Sequence, residues 1–187
     1  MTEESGRHVG AERADVPRSP RVVVGIDFST GARAALVFAL HDAARRGVPV
    51  QAVSAYRPPD YWMDFDAVAT YQPDQVQAAA LTRLRTFVDE VLPDGPHPAP
   101  EVRPTAAMGS AADVLITESH GADLLVVGSR GHGGFASLLL GSVSMHCALH
   151  ASCPVTVVHS PEAHRERLHR RRSRHAAGRT TQGTPVG

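Results

Sequence analysis

Val22-Val23-Val24-Gly25-Ile26 carries no polar residue at any position, and this run restricts the fold more than any other feature of the chain. A strand with one wet face alternates apolar and polar residues, so an unbroken run has no face to offer to water. Such a strand must be covered on both sides, which implies a parallel sheet enclosed between helices. Leu124-Leu125-Val126-Val127 repeats the signal a hundred residues later.

The segments around these runs supply the helices. Ser29 stands at an N-cap position, Ala35, Leu36, Ala39, Leu40 and Ala43 recur at helical spacing, and Gly47 suits the C-terminal cap. Residues 48–56 read as a second strand. A long connection containing Tyr61 and Trp62, which either covers a hydrophobic edge or forms part of a lid, leads to a second helix opened by Pro73-Asp74. Asp74 and Gln77 are spaced as a capping box, and Val76, Ala80, Leu84, Phe87, Val88 and Val91 make an apolar face. The third strand spans 101–107, and Pro104 within it lacks an N–H, which places that strand at a sheet edge. Ser110 caps a third helix ending near Ser119. A fourth strand at 123–127, a glycine-rich loop at 128–134, a helix from Gly141-Ser142 and a fifth strand at 154–158 complete the series. Alternating strands and helices give an α/β fold, an open parallel sheet with right-handed crossovers and helices on both faces.

One domain, 21–160, is expected between two disordered tails. Residues 1–20 are polar and interrupted by Pro17 and Pro20, and 161–187 is rich in Arg and His. No aromatic residue interleaves the Arg residues of the second tail, so base stacking has no support and nucleic acid is disfavoured as a partner. All 19 basic residues are Arg, so a Walker-type lysine and a Schiff-base lysine are both excluded. The two cysteines, Cys147 and Cys153, form neither a disulfide framework nor a C-x-x-C motif. No stretch approaches the roughly 18 apolar residues needed to span a bilayer, and no signal sequence opens the chain, so a cytoplasmic protein without a membrane anchor is expected.

Function points to the fourth strand and the loop after it. Gly128, Gly131 and Gly141-Ser142 are spaced so that a glycine-rich loop runs into a helix start. Backbone N–H groups hold a phosphate well because they are fixed dipoles without side-chain bulk, and glycine permits the approach and can adopt positive φ. The first turn of the helix would aim the N–H groups of Ser142, Val143 and Ser144 at an anion, with two hydroxyls as further donors. Arg130 and His132 lie inside the loop and can neutralise a triphosphate. Gly131-x-Gly133-Gly134 is not a dinucleotide fingerprint, because it comes after a late strand and no acidic residue stands about 20 positions on. His146 and His150 stand four apart near Cys147, but no third ligand is placed by the pattern and no metal site is assigned.

Val23-Val-Gly-Ile-Asp27, Ser29, Ala122-Asp-Leu-Leu-Val-Val-Gly-Ser-Arg-Gly-His-Gly-Gly134, Leu140-Gly-Ser-Val-Ser144 and Cys153-Pro-Val-Thr-Val-Val158 together resemble the universal stress protein family over about residues 20–160. The motif G-x2-G-x9-G-[ST] is matched in full. The resemblance implies a Rossmann-like sheet of five parallel strands in the order 3-2-1-4-5 and ATP, or another adenine nucleotide, bound without a Walker loop, with Mg as an accompanying ion. It implies that Asp27 sits near the nucleotide, that Ala55 packs on adenine, and that Gly128, Gly131, Gly141, Ser142, Val143 and Ser144 take the phosphate and ribose roles. The family's usual small residue after the Asp is Phe28 here, bulky enough to crowd the mouth of the site. A homodimer through the fifth strand is also implied, with Val155, Val157 and Val158 at the interface, alongside protein partners that the residues do not identify. No catalytic residue is assigned, since no base or acidic pair is arranged around Asp27; any ATP hydrolysis would be slow. Two other readings stand beside a nucleotide-binding stress-response module. One is a nucleotide-free partner-binding module of the same fold. The other is an adenylating enzyme, disfavoured because Asp27-Phe-Ser-Thr-Gly31 replaces the S-G-G-x-D-S phosphate loop such enzymes carry after their first strand.

Overall fold

A computed structural model describes residues 19–57, 72–131 and 140–160. In chain order the elements are β1 (Val22–Gly25), α1 (Thr30–Arg46), β2 (Val50–Tyr56), α2 (Pro73–Val91), a 3-10 turn (Leu92–Asp94), β3 (Val102–Met108), α3 (Ala111–Glu118), β4 (Leu124–Gly128), α4 (Ser142–His150) and β5 (Val155–Val158). The strands form one parallel sheet in the order β3-β2-β1-β4-β5. This is the order expected, and β3, with Pro104, is indeed an edge.

The unbroken apolar runs are explained by two packed faces. Val22, Val24 and Ile26 point to one side and meet α1 and α2 through Ala35, Leu36, Leu40, Leu84 and Val88. Val23, Leu125 and Val127 point to the other and meet Val114 and Leu115 of α3 and Cys147 of α4. β1 and β4 sit at the centre, and the side chains of Val22, Val23, Val24, Leu125 and Val126 are fully buried. Val155–Val158 of β5 are all half-buried, as befits an edge.

The helix ends obey their caps. Ser29 accepts a hydrogen bond from the Ala32 N–H and starts α1; Gly47, at φ 68°, ends it in the left-handed conformation. Ser110 accepts from the Asp113 N–H at the start of α3. The capping box expected at Asp74 and Gln77 is not formed. Pro73 already occupies the first turn, so the N-cap is Gln72, which makes no side-chain capping bond. Gln77 turns instead to the sheet and donates to the Ala106 carbonyl at 3.4 Å.

At the amino end of the sheet, opposite the loops that leave β1 and β4, Arg21 binds three pieces of the fold. Its guanidinium donates to Gln51 Oε1 at 2.6 Å and to the carbonyls of Glu118 and His120 at 2.9 and 3.2 Å. A cation on the last carbonyls of α3 suits the negative end of that helix. Among the described residues, no helix is long and apolar enough to cross a membrane. Residues 1–18 and 161–187 of the tails, with Tyr61, Trp62, His132, Gly133 and Gly134, lie outside the described residues.

Candidate functional site

β1 and β4 are neighbours whose chains leave in opposite directions, towards β2 and towards β5. A crevice opens beyond their carboxyl ends, the usual ligand position in open α/β sheets. Here it is a cleft of about 470 Å³. Asp27, Ala55, Gly128, Arg130, Gly131, Gly141, Ser142, Val143 and Ser144, singled out from the sequence, all line it. Residues separated by more than a hundred positions are thus brought to one place.

One part of the wall is apolar, made by Val53, Ala55, Ala111, Leu115 and Val127. Of these only Ala55 was expected from the sequence. Gly25 explains how Leu115 comes to lie there: a Cβ on Gly25 would sit 2.7 Å from Leu115 Cδ1, so the bare backbone admits the leucine over the strand end. A glycine interrupting an otherwise valine-rich strand was the signal for this close approach.

The opposite part is polar and built from three chain segments. In the first, Asp27 Oδ1 accepts the Ser29 N–H at 3.0 Å and the Ser29 hydroxyl at 2.5 Å. Ser29 Oγ in turn accepts the Ala32 N–H at 3.1 Å, so the carboxylate is fixed to the cap of α1. Phe28 between them has φ 66°, a conformation that is unusual for a bulky residue. Its ring lies edge-on to Phe87 with centroids 5.5 Å apart, and the Arg83 guanidinium lies 3.9 Å from the ring centroid. Phe28 therefore packs on the α1–α2 side of the sheet, and the crowding of the mouth expected from its size does not occur.

The second segment is Gly128 to Gly131. A Cβ on Gly128 would meet the backbone of Gly31 at 2.9 Å, and one on Gly31 would meet the Arg130 carbonyl oxygen at 2.7 Å. The end of β4 and the start of α1 thus touch through bare backbone. A Cβ on Gly131 would collide with Asp27 Oδ2. None of Gly128, Gly131 and Gly141 has positive φ. Close approach, rather than left-handed backbone, is what glycine provides at Gly128 and Gly131.

The third segment is the start of α4. The Gly141 N–H donates to the Ser129 carbonyl at 2.8 Å, and the Ser129 N–H donates to the Val158 carbonyl at 2.7 Å. The first intrahelical bond runs from the Met145 N–H to the Gly141 carbonyl at 3.0 Å. The N–H groups of Ser142, Val143 and Ser144 therefore have no acceptor within their own helix, and Gly141 offers no side chain to cap them. The two serine hydroxyls differ. Ser144 is buried and its hydroxyl donates to the Gly128 carbonyl at 2.6 Å, so it is spent on the fold and is not the free donor expected. Ser142 is exposed.

Among the described residues, no group of three or more His, Cys, Asp or Glu side chains is placed to hold a metal. The His146 and His150 rings lie against each other with centroids 4.7 Å apart and planes tilted by 47°. Cys147, next to His146 in the helix, is fully buried, and burial pushes its thiol up to about 11. Cys153 is half-buried and its thiol is also raised, again by burial.

The comparisons with known proteins agree with this fold. The model of the universal stress protein family matches residues 19–159. The chain belongs to that family. Universal stress protein Rv2623 of Mycobacterium tuberculosis is 32% identical over 146 residues, covering 76% of this chain and 48% of the relative. A universal stress protein of Mycolicibacterium smegmatis is 33% identical over 142 residues, covering 73% and 45%. The chain thus spans about half the length of the curated relatives it matches. Among solved structures, universal stress protein UspA of Lactobacillus plantarum superposes with TM-score 0.62 at 23% identity, over 76% of this chain and 99% of that one. A universal stress protein solved in complex with cAMP superposes with TM-score 0.53 at 25% identity, over 77% and 99%.

Proposed function

We propose that this universal stress protein domain binds an adenine nucleotide, with ATP as the first candidate, and acts as a stress-response sensor or interaction module. The observation that carries the reading is the convergence on one cleft of the first-turn N–H groups of α4, a bare glycine approach and an apolar wall. An anion suits the first turn of α4 because its donors are fixed and carry a partial positive charge. A flat base suits the apolar wall at Ala55, Val53 and Leu115. The cleft's size is in the range of small-molecule sites, about 300–1,000 Å³. A family member of the same fold is solved with cAMP, which supports an adenine ligand class.

In this reading the N–H groups of Ser142, Val143 and Ser144 hold the phosphates. Gly131 and Gly141 leave room for them, and Arg130 offsets charge. Asp27, held by Ser29, orients against the ligand without contributing a proton. Any Mg would arrive on the phosphates. The reading is one of binding, and no residue is assigned a catalytic role.

The same reading includes a homodimer. Among the described residues β5 is the last strand of the sheet, and Val155, Val157 and Val158 at that edge are the proposed contacts. α4, which packs on β5, exposes Met145 and Leu149, at 48% and 69% of their surface. Calorimetric titration of the purified protein with ATP, ADP, AMP and cAMP, with mass spectrometry of any small molecule released on denaturation, tests the ligand. Saturable binding of at least one is expected, and absence of all four would remove the nucleotide reading in favour of a partner-binding module.

A further inference from the structure

A second cavity of about 440 Å³ branches from the cleft. It shares Ala55, Ala111, Ser142 and Val143 with the cleft, but Asp27, Gly128, Arg130 and Gly131 do not reach it. It therefore leaves the cleft on the side away from the glycine loop. Its own polar side chains are Arg57, Ser110 and His146. Ser110 is committed to Asp113, donating its hydroxyl to Oδ2 at 2.5 Å and accepting the Asp113 N–H at 3.2 Å. Arg57 and His146 are left to define the chemistry. Among the described residues, no carboxylate lines this cavity. A concave site whose described lining carries a permanent cation and an imidazole favours an anion. Arg57 in particular offers a planar fork suited to phosphate.

We infer that this side cavity is a second anion subsite, which accepts a further phosphate carried on the ribose of a nucleotide whose 5′-phosphate lies at the start of α4, on the side facing the glycine loop. The inference rests on the nucleotide reading. The ligand class is an adenosine bisphosphate, or a larger nucleotide branched at the same sugar edge. The shared lining fixes the branch point. A group reaching the side cavity leaves the ligand beside Ala55 and Val143, between the apolar wall and the start of α4.

The test is a titration of the full chain with AMP, adenosine 2′,5′-bisphosphate and adenosine 3′,5′-bisphosphate at low and moderate salt. One of the bisphosphates should bind about fivefold or more tightly than AMP, an advantage that salt reduces, as expected for partly exposed charges. Arg57→Ala should bring that ratio close to one while AMP affinity stays unchanged; Arg57→Lys should keep part of it, and His146→Ala should lower it. If AMP binds and neither bisphosphate gains over it, the inference is overturned and the nucleotide reading stands. Equal loss of all three ligands in Arg57→Ala also overturns it, because Arg57 would then act on the main cleft. If no ligand binds the wild type, both readings fall together.

Discussion

Gly141→Asp separates what the fold needs from what the ligand needs. Gly141 is the N-cap of α4, with φ −71° and ψ 160°, a conformation open to any residue and common at N-caps. A Cβ there comes no nearer than 3.6 Å to Arg130 Cα and the Ser129 carbonyl oxygen, and 3.8 Å to Ser144 Oγ, all ordinary contacts. An aspartate can therefore be seated without displacing backbone. As a cap it bonds the N–H of Val143 or Ser144 and places a negative charge at the positive end of the helix. These effects amount to a few tenths of a kcal/mol from capping and about 0.3–1 kcal/mol from the dipole. The melting temperature should stay level or rise by roughly 1–4 °C. Ligand binding should suffer, because one donor is taken and a carboxylate faces the phosphates. Loss of one charge-assisted hydrogen bond costs about 1.5–3 kcal/mol, which is roughly tenfold to a hundredfold in Kd, and repulsion adds to it. Gly128→Ala is the converse control. Its Cβ would press on Gly31 backbone at 2.9 Å, so overpacking should destabilise the fold by about 1–3 kcal/mol. Differential scanning fluorimetry and calorimetric titration read both variants. ATP affinity retained within threefold in a stably folded Gly141→Asp protein would refute the placement of the phosphates at the start of α4.

The packing sets further outcomes. Phe28→Ala should destabilise by about 1–3 kcal/mol through lost contact with Phe87 and Arg83, and Phe28→Gly by less, because glycine relieves the positive φ at a saving of about 1 kcal/mol; chemical denaturation of the two variants gives the order. With a thiol reagent, native protein should react first at half-buried Cys153, and Cys147 should react only as the chain opens. The raised Cys147 thiol contributes stability that is fully present below the thiol's ordinary value near 9 and is lost as pH rises towards about 11. The folded state then binds more protons than the unfolded one, so stability falls with pH across that window, by up to about 3 kcal/mol, and Cys147→Ser should flatten the fall in denaturant midpoint. Arg21→Ala should cost about 1–3 kcal/mol by unpairing Gln51 and the α3 carbonyls while leaving nucleotide affinity unchanged, since it acts at the far end of the sheet.

Much of the fold was legible because its signals are local. The unbroken run at 22–26 required two covered faces, Ser29, Gly47 and Ser110 marked helix ends through their own caps, and Pro104 marked an edge. The cleft was half legible. Spacing and family resemblance brought Asp27, Ala55, Gly128, Arg130 and Gly131 together with Gly141 to Ser144, but Leu115 and Ala111 were missed, since the helix face that covers a strand end is decided by tertiary packing. Gly25 was the trace of that packing in the sequence. Ser144 failed in the other direction. Its position in the first turn suggested a free hydroxyl, and only the approach of β4 shows that the Gly128 carbonyl claims it. Asp74 and Gln77 had the right spacing for a capping box, yet Pro73 moved the helix start and β3 offered Gln77 another acceptor.

The bond between the Gly141 N–H and the Ser129 carbonyl closes the neck of the segment between them, and Ser129 is pinned in turn to the last residue of β5. Both bonds join main-chain atoms only, so they survive a change of side chain at Ser129 or Gly141. The start of α4 is thereby hung from the carboxyl ends of β4 and β5 by the backbone itself, and its position is inherited from the sheet rather than from any one side chain.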